Sequence, residues 1–333
     1  MISLVNRIGI AILTISAIVA LMGCSASGER ELTKVSVALD WYPWANHAGL
    51  LLAEGQGYFD LHDLEVDVYT PSDPSTVLQT VGAGKDDFGI SYQTDVIVAR
   101  SRGIPVVSVA ALVQHPLNSV MALPGSGIRT PKDLVDKKVG YPGIPNDILL
   151  VRTMVEGDDG NFDRVDLVNV GFDLVPALIS GKVDAIVGAY WVHESILIKH
   201  QTGQDPIILK MEEWGVPDFY ELVLVTNEET IRDRPELVRA FLGAVIKGYR
   251  DAADEPAHAV DTLVDSNPEV DRNLEEQSLG LLVPLWLEGV PAFGWQTSEK
   301  WKNFIVWMES QDDLSLPVAF SDAFTNEFIP RGN

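Results

Sequence analysis

Apolar and polar residues along this chain alternate between two periods. Val35-Ser-Val-Ala-Leu39 and Leu64-Glu-Val-Asp-Val-Tyr69 repeat every second residue, which predicts strands. The first runs into a loop rich in aromatics over residues 40–47, then a helix over 48–56 stopped by Gly57. Pro71-Ser-Asp-Pro74 reads as a turn capping a helix that begins near Ser75. Phe88-Gly-Ile-Ser-Tyr92 is a further strand, and Thr130-Pro131 suits the N-cap and first position of a helix. Residues 139–143 predict a strand and a glycine-rich turn, and Val223-Leu-Val-Thr226 a strand that returns to the starting layer. Beyond Arg234-Pro235 the pattern is largely helical, with Leu237, Phe241, Ala244, Val245 and Tyr249 forming one apolar, core-facing stripe. Strands alternating with helices predict an open α/β sheet.

One stretch is echoed. Ala83-Gly-Lys-Asp-Asp-Phe-Gly-Ile-Ser-Tyr-Gln93 matches the pattern of Ser180-Gly-Lys-Val-Asp-Ala-Ile-Val-Gly-Ala-Tyr-Trp191: a Gly-Lys helix stop, an acid, an apolar strand and an aromatic at its end. Two such units suggest two similar lobes. Lobe 1 is expected from residues 34–122 plus 223–333 and lobe 2 from 123–222. In open α/β sheets ligands sit beyond the carboxyl ends of strands. Asp40-Trp41-Tyr42, Tyr92-Gln93 and Tyr190-Trp191 fall at such ends and are expected to converge on one cleft between the lobes.

The N-terminus changes the picture. Arg7 is the only charged residue before Cys24, and an apolar run over residues 8–20 leads into Leu21-Met22-Gly23-Cys24. This resembles a bacterial lipobox and predicts a signal peptide over 1–23, lipidation of Cys24 and a polar tether over 24–33. The mature protein is then extracytoplasmic and held at the cell membrane. Cys24 is the only cysteine of the 333 residues, so no internal disulfide can form and the core must stabilise the fold. A net charge of -24 excludes nucleic acid as a natural partner. Its field also disfavours anionic ligands unless a local pocket overrides it.

A family resemblance follows from Leu39-Asp-Trp-Tyr-Pro-Trp-Ala-Asn-His47, Gly57-Tyr-Phe59, Ala83-Gly-Lys85, Gly89-Ile-Ser-Tyr-Gln93, Val139-Gly-Tyr-Pro-Gly-Ile-Pro145 and Tyr190-Trp-Val-His-Glu194. In this order, spread over residues 34–249, they look like the substrate-binding lipoproteins of ABC importers, in the group for thiamine-pyrimidine and riboflavin. The resemblance implies a type II periplasmic-binding-protein clamshell with the ligand cleft between its lobes. It also implies a monomer that works with a permease and an ATPase and needs no cofactor. The same fold includes an enzyme that makes the thiamine pyrimidine and carries a cysteine-rich iron motif. This chain has no cysteine after Cys24, which sets the enzyme reading aside.

A flat heterocycle needs stacking faces and a few fixed polar partners. Trp41, Tyr42, Trp44, Tyr92, Tyr190 and Trp191 can supply the faces, and Tyr141 stands in the glycine-rich turn. Asp40 and Glu194 can accept from ring amino or imide groups; Asn46, His47 and Gln93 can donate and accept. The Gly140-Tyr-Pro-Gly143 turn reads either as close backbone approach to a neutral ligand or as a plain turn. His193 reads as a neighbour of Glu194 with no assigned role. Asp40, His47, His193 and Glu194 show no metal-type spacing. The broad indoles Trp44 and Trp191 favour riboflavin, with a formylated aminopyrimidine as the alternative.

Overall fold

The computed structural model describes residues 31–311 and 314–330; the signal peptide, Cys24 and most of the tether lie outside the described residues. From Thr33 onward the chain builds two five-stranded sheets. Its strands are β1 (Thr33–Ala38), β2 (Leu64–Tyr69), β3 (Phe88–Ser91), β4 (Val106–Val113), β5 (Asn118–Ala122), β6 (Lys138–Tyr141), β7 (Asp166–Asn169), β8 (Ala185–Tyr190), β9 (Ile207–Lys210) and β10 (Leu222–Asn227). The helices between the strands are α1 (Ala48–Gly55), α2 (Val77–Gly82), α3 (Gln93–Ser101), α4 (Pro145–Gly157), α5 (Leu174–Ile179) and α6 (Glu194–Thr202). After β10 come α7 (Glu228–Asp233), α8 (Pro235–Asp254), α9 (Pro256–Ser266), α10 (Arg272–Trp286), α11 (Ser298–Ser310) and α12 (Phe320–Ala323).

The first sheet has the order β2-β1-β3-β10-β4 and the second β7-β6-β8-β5-β9. Each contains one strand that runs against its neighbours: β10 pairs antiparallel with β3 and β4, and β5 antiparallel with β8 and β9. These two strands follow the crossovers, since β4 leads directly into β5 and the chain comes back from β9 through β10. The first sheet is therefore built from two separated stretches of chain and the second from one continuous stretch. The outward crossing lies at residues 114–117, because residues 118–122, expected in the first lobe, pair within the second sheet. The apolar run of β4 resumes after His115-Pro116 with no change of composition, so the pattern alone does not mark the crossing.

The internal echo has a structural meaning. β3 lies between parallel β1 and antiparallel β10; β8 lies between parallel β6 and antiparallel β5. The repeated Gly-Lys stops, at Gly84 (φ 67°) and Gly181 (φ 72°), take the left-handed conformation that a side chain disfavours. The repeated aromatics, Tyr92 and Tyr190, thus emerge at equivalent strand ends.

β3, β4, β5 and β10 are buried throughout, in keeping with their apolar runs, whereas the edge strands β2 and β7 alternate or stay exposed. The outer edge of β4 is covered by bridges to Gly294 and Phe324. Residues 130–134 form a single capped 3-10 turn (Pro131–Leu134) instead of the expected helix, because the backbone extends at Val135 and β6 starts at Lys138.

The apolar stripe of α8 buries Phe241, Ala244, Val245 and Tyr249, with Leu237 packed at its margin. Its contact with α1 depends on two glycines. A Cβ on Gly49 would stand 2.3 Å from the Tyr249 ring, and one on Gly248 would stand 2.1 Å from the Gly49 carbonyl oxygen. Tyr249 also donates to the carbonyl of Asn46 at 2.6 Å, which anchors the aromatic loop to the core of the first lobe.

Candidate functional site

A narrow slot of about 30 Å³ lies between the lobes at the carboxyl ends of their strands. The first lobe contributes Asp40, Trp41 and Trp44 from the loop after β1, and Tyr92 from the end of β3. The second contributes Tyr190 and Glu194 from the end of β8 and the start of α6, and Asn146 and Asp147 from the first turn of α4. The first residue of β5, Asn118, and Phe219 and Glu221 of the return crossover complete the lining. Trp44 and Tyr190 meet across the slot with ring centroids 5.8 Å apart.

Asp40 is buried and held from two sides. His47 Nε2 lies 2.9 Å from Oδ1, and the Tyr92 hydroxyl donates to Oδ2 at 3.1 Å. The amide of Trp44 donates to His47 Nδ1 at 3.4 Å, so that nitrogen carries no proton and Nε2–H donates to Asp40. The loop thereby fixes its own acid.

Three further carboxyls face the slot. Glu221 Oε2 accepts the backbone amides of Leu117 (2.6 Å) and Asn118 (2.9 Å). Burial nevertheless pushes its pKa up to about 8, against those hydrogen bonds. Asp147 Oδ1 accepts from Asn118 Nδ2 at 2.8 Å, while its Oδ2 is buried without a protein partner. Burial pushes Asp147 up to about 7, more strongly than the Asn118 contact pulls it down. Glu194 Oε2 accepts the amide of Tyr190 at 2.8 Å. The lining contains four carboxyls and no Lys or Arg. Two of these acids titrate near neutrality, so each can accept a hydrogen bond or donate one.

Of the residues expected at the site, Asp40, Trp41, Trp44, Tyr92, Tyr190 and Glu194 line the slot. His47 stands behind Asp40. Gln93 is buried behind Tyr92, its Oε1 accepting the amide of Tyr220 at 2.7 Å and so holding the return crossover. Asn46 is buried, and its carbonyl serves Tyr249. Tyr42 is 53 % exposed and stacks outside the slot on Phe172, with centroids 4.5 Å apart. Tyr141 packs at the margin of the core. Trp191 turns away: its N–H donates to the carbonyl of Pro116 at 3.3 Å, and Lys210 Nζ sits 3.8 Å from its ring centroid. Cys24 lies outside the described residues.

Asn118, Asn146, Asp147, Phe219, Glu221 and Gly188 are slot residues that the pattern did not single out. Only Asp147 carried a usable signal, as an acid two positions into a helix opened by the Gly-Ile-Pro turn. Gly188 lies inside β8 at φ 87°; a Cβ there would stand 2.9 Å from Pro142 and 3.1 Å from Asp147 Oδ2. Among the described residues, no group of three or more His, Cys, Asp or Glu side chains is arranged to hold a metal ion. No helix among them is long and apolar enough to cross a membrane.

Comparison with known proteins places this geometry. The family described as "NMT1/THI5 like" matches residues 44–259. A formylaminopyrimidine-binding protein of Halalkalibacterium halodurans is 39 % identical over 317 residues, covering 93 % of this chain and 96 % of that protein. A 4-amino-5-hydroxymethyl-2-methylpyrimidine phosphate synthase of Saccharomyces cerevisiae is 30 % identical over 254 residues, covering 72 % and 73 %. Among solved structures, the alkanesulfonate-binding protein of Xanthomonas axonopodis pv. citri superposes with a TM-score of 0.69 at 14 % identity, covering 89 % of this chain and 99 % of that one. The two-lobed clamshell is thus the fold of ABC-importer substrate-binding proteins.

Proposed function

The chain belongs to the NMT1/THI5-like family, and we propose that it is the substrate-binding component of an ABC importer, capturing a formylated aminopyrimidine outside the cytoplasm. One observation carries this reading: a slot walled by aromatic rings whose charged lining is entirely carboxyl, from Asp40, Asp147, Glu194 and Glu221. An aminopyrimidine sets amino N–H donors beside ring nitrogens that accept a proton. A carboxyl near its own titration point matches such an edge, taking the amino hydrogen on one oxygen and sharing a proton with the ring nitrogen on the other. Trp44 and Tyr190, whose rings touch each other across the slot, can each offer a face to the ring once the walls part. The similarity to the formylaminopyrimidine-binding protein over nearly the whole chain supports the same ligand class.

The flavin expectation rested on two broad indoles. Trp191 is occupied by Pro116 and Lys210 away from the slot, so that argument loses half its basis. The synthase relatives suggest a phosphorylated pyrimidine as an alternative occupant. Four carboxyls with no cation among the lining residues oppose a phosphate ester by direct repulsion. We therefore favour capture over catalysis.

The ligand enters when the walls part, and closure then brings stacking and hydrogen bonding into play together before the complex docks on a permease. Cys24 is the proposed lipid attachment that keeps the protein at the membrane. Calorimetric titration of the purified chain tests the ligand. Formylaminopyrimidine should give saturable heat; riboflavin and the pyrimidine phosphate should give little or none. Heat with riboflavin alone would reverse the assignment.

A further inference from the structure

His193 lies directly behind the slot wall, between two carboxylates from different lobes. Its Nδ1 is 3.2 Å from Glu194 Oε1, at the start of α6 in the second lobe. Its Nε2 is 3.3 Å from Glu275 Oε1, on α10, which packs with the first lobe. Glu275 is 1 % exposed, and its other oxygen accepts the amide of Ala45 in the aromatic loop at 2.8 Å. An imidazole with a carboxylate at each nitrogen must donate from both, which makes it the cation. The Trp44 ring, 4.3 Å from the His193 ring centroid to centroid, adds an aromatic face to that cation.

We propose that the His193–Glu275 contact is a latch between the lobes, and that His193 is the positioning residue that aims the Glu194 carboxyl into the slot. All three groups around the imidazole touch the ligand site or its supports: Trp44 and Glu194 line the slot, and Glu275 holds the amide of Ala45 in the loop that carries Asp40. Filling the slot therefore fixes the same side chains that the latch needs, and opening the lobes must break the contact between His193 and Glu275. Burial opposes the cation, yet the two carboxylates prevail and push the His193 pKa up to about 10, so the latch stays charged at neutral pH. The latch follows from the two-lobed fold; only its effect on ligand release rests on the binding-protein reading.

The test compares the full-length wild-type chain with Glu275→Gln, His193→Gln and the double variant. Small-angle X-ray scattering without ligand reads lobe opening, and stopped-flow tryptophan fluorescence reads release of formylaminopyrimidine. Either single variant should enlarge the ligand-free radius of gyration and speed release about tenfold, the scale of one lost charge-assisted hydrogen bond. The double variant should be no worse than His193→Gln alone, which removes both the latch and the Glu194 contact, whereas Glu275→Gln removes the latch only. Unchanged scattering and release, or additive effects in the double variant, would overturn the latch. Should wild type fail to bind formylaminopyrimidine, the functional reading falls while the ligand-free scattering still decides the latch. Should Glu275→Gln fail to fold, His193→Gln measured in the same way decides it.

Discussion

The Glu221 carboxyl accepts the backbone amide of Asn118 at 2.9 Å and thereby joins the return crossover, just before β10, to the start of β5, where the outward crossover ends. Asn118 passes the connection on. Its side-chain nitrogen Nδ2 donates to Asp147, and its side-chain oxygen Oδ1 accepts the amide of Gly188 at 2.9 Å. The hinge and the slot therefore share one polar network, and a change in the protonation of either acid is felt at both.

The pH dependence of stability follows from that network. Asp147 is pushed by burial from the ordinary 3.8 to about 7 and Glu221 from 4.5 to about 8; beside them Asp95 of α3, which accepts from the side chain of Asn146, is likewise pushed to about 7. Above the ordinary values the folded chain still holds protons that the unfolded chain has released, so stability falls as pH rises through that range. His193 acts with the same sign: its contribution is complete below 6.5 and is lost as pH climbs toward about 10. The melting temperature of the ligand-free protein should fall steadily from about pH 5 to about pH 9. Glu221→Gln should flatten the slope, and a melting temperature that climbs over this range would contradict it.

Asn118→Ala removes the donor to buried Asp147 and the acceptor for the half-buried amide of Gly188. Leaving two such groups unpaired should cost about 1–3 kcal/mol each, moderated by any water that enters. Thermal unfolding should record the loss. Formylaminopyrimidine affinity should drop as well, because Asp147 is no longer held.

The two indoles once grouped together should separate. Trp44→Phe shrinks a slot wall and removes the face over His193, so ligand affinity should fall about tenfold or more. Trp191→Phe loses only the Pro116 contact and the Lys210 stacking, and calorimetry should find affinity within about threefold of wild type with a small loss of stability. Equal effects at both positions would misplace the slot.

Much of this was legible in the sequence because period and turn chemistry are local properties. The Gly-Lys echo located β3, β8 and their terminal tyrosines, and six expected residues line the slot. The failures share a cause. Asn118 and Glu221 acquire their roles only when the two crossovers come together, 103 residues apart along the chain. His193 looked like a surface neighbour of Glu194 because nothing local announces Glu275, 82 residues further on. Trp191 misled in the opposite way: an aromatic at a strand end suggests a ligand face, but Tyr190 beside it takes the slot, and consecutive residues leave the backbone in different directions.

Gly188 offers the sharpest test of the slot itself. Its φ of 87° is one that a residue with a Cβ adopts only under strain, so an alanine there costs about 1–3 kcal/mol before any contact is counted. The added methyl would also press on Pro142 at 2.9 Å and on Asp147 Oδ2 at 3.1 Å, in the wall of the slot. Pro142 lies just before the turn that starts α4, so moving it shifts Asp147 and Asn146 together. Gly188→Ala should therefore lower the melting temperature and weaken formylaminopyrimidine binding more than Asn118→Ala does, since it narrows the slot as well as disturbing its acid. Gly84→Ala provides the control. It sits at a comparable φ of 67°, with nothing within 4 Å of the added carbon, and is remote from the slot. It should lose stability and keep its affinity, and equal affinity losses in the two variants would show that backbone strain alone, without any change in the slot, accounts for the effect.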